Sequence, residues 1–262
     1  FQYSEQSGHS EQSCVCILEE SNQSNNLVTG GSMDPVSTFI VGAQKSGTTA
    51  LYTFLNDHPD IQFGFRKELH VFDNEQIDWS QPIDQVFEQC FDLDQKASCR
   101  IDATPMYMYW PPAMQRLHNY NPNAKILVLL RDPVERAYSH WRMKEKEKTA
   151  NIGFSDAIRQ GRNRFDSVHP SYSYVERGFY AAQLERIYQL FPSKQVLVLM
   201  QKELLENHEA VLNRVCDFIG VDRFETVPLS RTVFSSGALS VMSDSDRQYL
   251  SKGYRRSNQR LK

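Results

Sequence analysis

Three continuous apolar runs, Thr38–Gly42, Lys125–Leu130 and Gln195–Met200, set the strongest limit on what this chain can fold into. Each is short and rich in aliphatic and β-branched residues, the pattern of a strand buried on both faces. Around them lie segments with helical apolar spacing: Thr48–Asp57, Pro112–Tyr120, Pro133–Lys148, Phe154–Gln160, Phe179–Leu190, His208–Ile219 and Asp244–Lys252. Proline opens several of these, as suits a first helical turn. Buried strands alternating with helices predict an α/β fold, one domain with a central parallel sheet flanked by helices. Leu184, Ile187, Tyr188 and Phe191 recur at helical spacing and are expected in the core, as is Cys216.

The chain suffices for one such domain: 262 residues, 40% hydrophobic and 11% aromatic, which excludes wholesale disorder. Residues 1–35, rich in Ser, Gln, Asn and Glu, read as a polar tail or linker, leaving 36–262 as the domain. Within the tail, Cys14 to Leu18 is a short apolar patch able to dock. Lys plus Arg number 29 against 32 Asp plus Glu, a net charge of −3, which argues against duplex nucleic acid as the main partner. The longest aliphatic runs are five residues, so no membrane span is expected. Of five cysteines, Cys90 and Cys99 are near enough in sequence for a bridge, and none has zinc spacing. The start without Met and without a leader pattern fits a processed chain or a piece of a longer one. Reduced thiols and a cytoplasmic site are favoured, with the Golgi lumen expected if the chain is cut from a membrane-anchored protein.

The chemistry concentrates after the first run. Gly42-Ala43-Gln44-Lys45-Ser46-Gly47-Thr48-Thr49 joins a strand to a helix, where backbone amides and a helix N-terminus can hold a phosphate. The glycine spacing fits the nucleotide-binding pattern GxxxxGK[ST], but Thr48 stands where that pattern has Lys, and a lysine appears at 45. This spacing fits one phosphate, with Lys45 displaced towards a transferred group. A P-loop kinase or nucleoside triphosphatase is the first alternative, and a non-catalytic nucleotide-binding module the second.

With Ile40 and Val41 before it and Ala50 and Leu51 after, this loop resembles that of the sulfotransferases using 3′-phosphoadenosine 5′-phosphosulfate (PAPS), in the branch of heparan sulfate and other carbohydrate enzymes and their bacterial relatives. The resemblance implies a P-loop-like fold in which Ser46, Gly47, Thr48 and Thr49 cradle the 5′-phosphate and Lys45 contacts the leaving-group side. It implies PAPS as donor, 3′,5′-adenosine bisphosphate (PAP) as product and no metal requirement. The acceptor would be a hydroxyl, in preference to an amine, of a carbohydrate or small natural product.

A second anion site is expected in Arg131-Asp132-Pro133-Val134-Glu135-Arg136-Ala137-Tyr138-Ser139. Arg131 ends a buried strand, where open α/β sheets place ligands, and its planar fork matches phosphate oxygens. Ser139 lies one to two turns into the following helix. The resemblance assigns both to the 3′-phosphate. The plainer alternative is an ion pair of Arg131 with Asp132 or Glu135, and Arg136 can pair with carboxylates of its own helix.

Transfer to a hydroxyl needs a proton acceptor and nearby cations, and Arg66-Lys67-Glu68-Leu69-His70-Val71-Phe72 offers both. The resemblance makes Glu68 the base. His70, whose imidazole titrates near neutrality, competes, and Lys67 is a candidate for positioning donor or acceptor. Asp102-Ala103-Thr104-Pro105-Met106-Tyr107, after a short strand, resembles a stretch lining the acceptor cleft. Asp102 there orients a lysine or a hydroxyl, or else caps the next turn. Tyr107, Tyr109 and Trp110 form either an aromatic wall or core. Gly178 and Tyr180, in Arg177-Gly178-Phe179-Tyr180, match a stretch that approaches the nucleotide. The basic end Lys252, Arg255, Arg256, Arg260 and Lys262 either contacts an anion or is solvated. Lys144 to Lys148 reads as a solvated helix end.

Overall fold

The computed structural model describes residues 34–150, 152–160, 172–229 and 242–261. In chain order its elements begin β1 (Thr38–Gly42), α1 (Thr48–Leu55), β2 (Ile61–Phe63), α2 (Asp84–Glu88) and β3 (Cys99–Asp102). They continue with α3 (Ala113–Tyr120), β4 (Lys125–Leu130), α4 (Pro133–Lys146), α5 (Phe154–Gln160) and α6 (Tyr180–Leu190). The chain then forms β5 (Val196–Met200), α7 (Gln201–Glu206), α8 (His208–Ile219) and α9 (Asp244–Gln259).

The five strands form one sheet in the order β2-β3-β1-β4-β5, and every pairing is parallel. Strand β1 is central, with β3 on one side and β4 on the other. The chain therefore fills one half of the sheet, returns, and crosses to the other half. That reversal opens a crevice at the carboxyl ends of β1 and β4. Ala43 N donates to Leu129 O at 2.7 Å, holding the two exits side by side.

Alternate residues of the strands feed two cores. Phe39, Val41, Ile126 and Val128 pack with Phe72, Leu117, Ile187 and Phe191 on one face. Ile40, Leu127 and Leu129 pack with Leu51 and Leu55 of α1 and with Val211 and Val215 of α8 on the other. A third cluster joins α4, α5 and α9 through Ala137, Trp141, Phe154, Leu250 and Tyr254. Helix α4 starts sharply because Asp132 accepts from Val134 N and Glu135 N while Pro133 fills the first turn.

The structure corrects several expectations. Tyr188 is 46% exposed, whereas Leu184, Ile187 and Phe191 are buried. Cys90 and Cys99 form no disulfide bridge. Helix α9 runs on to Gln259, well past Lys252. Arg136 is fully buried, and its Nη2 donates to Tyr174 O instead of reaching a carboxylate on its own helix. Residues 1–33, with Cys14, Cys16 and the apolar patch, lie outside the described residues, as does Lys262. Among the described residues no helix is long and apolar enough to cross a membrane.

Candidate active site

The loop 43–47 turns from β1 into α1 through Lys45 at φ 67 and Gly47 at φ 95. Glycine takes the second value without the Cβ penalty that another residue would meet. Helix α1 has no side-chain N-cap and no acidic residue in its first turn. Its first N–H groups and the positive end of its dipole are thus left for an anion. Ser46 and Thr48 are buried at this turn and Thr49 is half-buried. The Ser46 hydroxyl lies beside that of Tyr180, which is already donated to Arg131 O at 3.0 Å.

Lys45 Nζ rests 3.5 Å from Met143 Sδ. Burial pushes its ammonium below the ordinary lysine range; Glu147 and Glu68 oppose this, and Arg131 and Lys67 add to it. Arg131 Nη1 is 3.5 Å from the Lys45 carbonyl oxygen. Its Nη2 is 3.9 Å from Glu135 Oε2, a loose contact across one helical turn. The alternative ion pair is therefore present but weak, while Asp132 is spent on the cap. Ser139 falls between Glu135 and Met143 at four-residue spacing, so it shares the helix face that meets Arg131 and Lys45.

Across the crevice, the segment after β2 carries Glu68 at φ 63 and His70 at φ 55. Two consecutive-but-one residues in the left-handed region need strong local support, and a buried network supplies it. Asp102, 1% exposed, accepts from Thr104 Oγ1 at 2.7 Å and from Tyr107 Oη at 2.6 Å. Tyr107 Oη in turn accepts from Val71 N at 3.0 Å, and Thr104 Oγ1 from His70 N at 3.4 Å. The Leu69 amide also bonds Asp102. Burial raises the Asp102 carboxyl to about 6 in spite of these donors. Asp102 and Tyr107 are thus buried struts of the Glu68 segment. Tyr109 and Trp110 are half-buried.

Glu68 is bonded to Lys67 and lies 3.6 Å from His70 Nε2. Burial raises its pKa, but the bonds from His70 and Lys67 outweigh it and hold the carboxyl at about 2. His70 Nδ1 is 2.7 Å from Asp73 Oδ2. Burial works against the imidazolium, yet Asp73 and Glu68 bring its pKa up to about 10. At neutral pH the segment therefore presents an ionised carboxylate between two cations. Asp73 is the residue that sequence reasoning missed, and its spacing three positions after His70 was the available signal.

Gly178 and Tyr180 sit behind the crevice. Tyr180, 2% exposed, fixes the Arg131 backbone, and a Cβ on Gly178 would lie 2.7 Å from Tyr254. The basic end of α9 is exposed, with Arg260 paired to Glu185. Lys144 is paired to Glu147 at 2.9 Å. Among the described residues no cluster of His, Cys, Asp and Glu has the arrangement of a metal site.

A family model described as a sulfotransferase domain matches residues 35–242. Human heparan sulfate glucosamine 3-O-sulfotransferase 3A1 is 28% identical over 203 residues, 76% of this chain and 48% of that protein. Mouse heparan sulfate glucosamine 3-O-sulfotransferase 6 is 30% identical over 190 residues, 71% of this chain and 53% of that protein. The chain thus spans about half the length of these curated relatives. Among solved structures, a sulfotransferase from Alicyclobacillus acidocaldarius superposes with a TM-score of 0.76 at 28% identity, covering 87% of this chain and 94% of that one.

Proposed function

The chain belongs to the sulfotransferase family, and from that premise we propose that it transfers a sulfuryl group from PAPS to a hydroxyl of a carbohydrate or small natural-product acceptor. The observation that carries this reading is the pairing, across one crevice, of a cationic donor loop with an ionised carboxylate. Glu68 is close enough to Lys45 to help keep its ammonium charged.

In this reading the amides and hydroxyls of Ser46 to Thr49 hold the 5′-phosphate at the start of α1. Arg131, with Ser139 beside it, takes the 3′-phosphate through its planar fork. The acceptor oxygen forms a bond to sulfur while the bond between sulfur and the 5′-phosphate oxygen breaks in line. Glu68 receives the acceptor proton, and the electron pair of the breaking bond stays on the phosphate oxygen facing Lys45. Lys45 absorbs the charge developing there. With its carboxyl held at about 2, Glu68 is ionised and unprotonated before transfer, and so free to receive the acceptor proton as the new bond forms. His70, held as the cation, cannot accept that proton in the free protein; it fixes Glu68 instead. Asp102, Thr104, Tyr107 and Asp73 keep the segment in its left-handed turns, so positioning and charge do most of the work.

The test is incubation with 35S-labelled PAPS and a panel of glycans and small hydroxylated acceptors, with and without chelator. Label transfer and release of PAP, unchanged by chelator, are expected. Absence of both across the panel would contradict the proposal.

A further inference from the structure

Arg177 is bonded to the donor loop at Gln44 and takes no part in the steps above. It is 2% exposed. Its Nη1 donates to Gln44 Oε1 at 2.7 Å, its Nε donates to Ser173 Oγ at 2.8 Å, and its guanidinium lies 4.9 Å from the centre of the Tyr109 ring. These three contacts leave the fork a single orientation. Burial and the neighbouring Arg136 push its pKa down to about 10, while Tyr109, Glu68 and Asp73 favour the charged form.

Gln44 immediately precedes Lys45, whose backbone sits in the left-handed region at φ 67. The Lys45 carbonyl faces Arg131 Nη1 on the other side, at 3.5 Å. The residue expected to face the leaving group is therefore held at its backbone by two arginines, Arg131 at its own carbonyl and Arg177 through the preceding Gln44.

We propose that Arg177 is a positioning residue for transfer: through Gln44 it fixes the Lys45 backbone, and with it the direction in which the ammonium enters the crevice. The inference rests on the sulfuryl-transfer reading of the site. A lysine at 177 keeps the charge but cannot donate to Gln44 and Ser173 at once in this fixed geometry. Gln44→Met removes the same bond while leaving the buried cation in place.

The experiment measures transfer kinetics, PAP affinity by calorimetry and thermal unfolding for wild type, Arg177→Lys, Gln44→Met and the double variant. Each single change is expected to lower kcat by about 10- to 100-fold, as for a displaced catalytic group, and to weaken PAP only a few-fold. The double variant is expected to lose no more than the worse single one, because both act through one bond. Additive losses, wild-type kcat in Gln44→Met, or losses that follow the unfolding temperature would overturn the proposal. Should Arg177→Lys fail to fold, Gln44→Met alone decides it by its kcat. Wild-type protein that neither binds PAP nor transfers label would remove the sulfuryl-transfer reading itself, and this inference with it.

Discussion

The Lys45 ammonium rests on the Met143 thioether, 3.5 Å away, and forms no ion pair with a carboxylate among the described residues. Thioether sulfur is a weak acceptor, so the contact places the cation without neutralising it. Met143→Glu is expected to give Lys45 a carboxylate partner and to weaken PAP binding by about 10-fold or more. Met143→Leu, similar in volume, should keep affinity near wild type. Calorimetry with PAP distinguishes the two, and equal affinities would show that the uncompensated charge is not what binds the donor.

Glu68→Gln keeps size and shape but loses the proton acceptor. Turnover should fall by about 100- to 10,000-fold, while PAP affinity should stay nearly intact because Glu68 makes none of the proposed phosphate contacts. Undiminished transfer would exclude Glu68 as the base.

His70 is expected to remain protonated through pH 8, since its pKa is raised to about 10. The Glu68 and Asp73 pairings then stabilise the fold fully below the unfolded value of about 6.5. That contribution is lost as pH rises through about 10. An NMR titration of the imidazole should place its midpoint far above the ordinary histidine range, and Asp73→Asn should bring it down. A wild-type midpoint near the ordinary value would refute the pairing.

Gly178→Ala introduces a Cβ at 2.7 Å from the Tyr254 ring and hydroxyl, and Tyr254 is fully buried with its hydroxyl donated to Val175 O at 2.9 Å. Overpacking of this kind costs about 1–3 kcal/mol. Denaturant unfolding measures it, with the loss expected in stability more than in PAP affinity.

Much of this architecture was legible because burial is continuous along the central strands. Thr38–Gly42 and Lys125–Leu130 stand where their apolar runs end. Ile61–Phe63 was missed since three residues at a sheet edge leave too short a pattern, and α9 was cut short because past Tyr254 it is wholly polar. Lys45 and Arg131 were legible together: Arg131 directly follows β4, Lys45 lies in the short loop that leaves β1, and parallel strands put both exits at one edge of the sheet. Orientation was not. The motif left Asp102 open between a cleft group and a cap, and Tyr107 between aromatic wall and core; in the fold three donors turn Asp102 inward. Residue identity names a group's chemistry, while its direction depends on neighbours distant in the chain.

We propose that the crevice between β1 and β4 binds a nucleotide carrying phosphate at both its 3′ and 5′ positions. Calorimetric titration of the protein with PAP, 5′-AMP and ATP with magnesium tests it most directly. Tight PAP binding and much weaker AMP binding are expected, with a loss of the preference for PAP over AMP in Arg131→Ala, worth about 10- to 100-fold for a charge-assisted contact. Tight magnesium-dependent ATP binding with no response to PAP would contradict it.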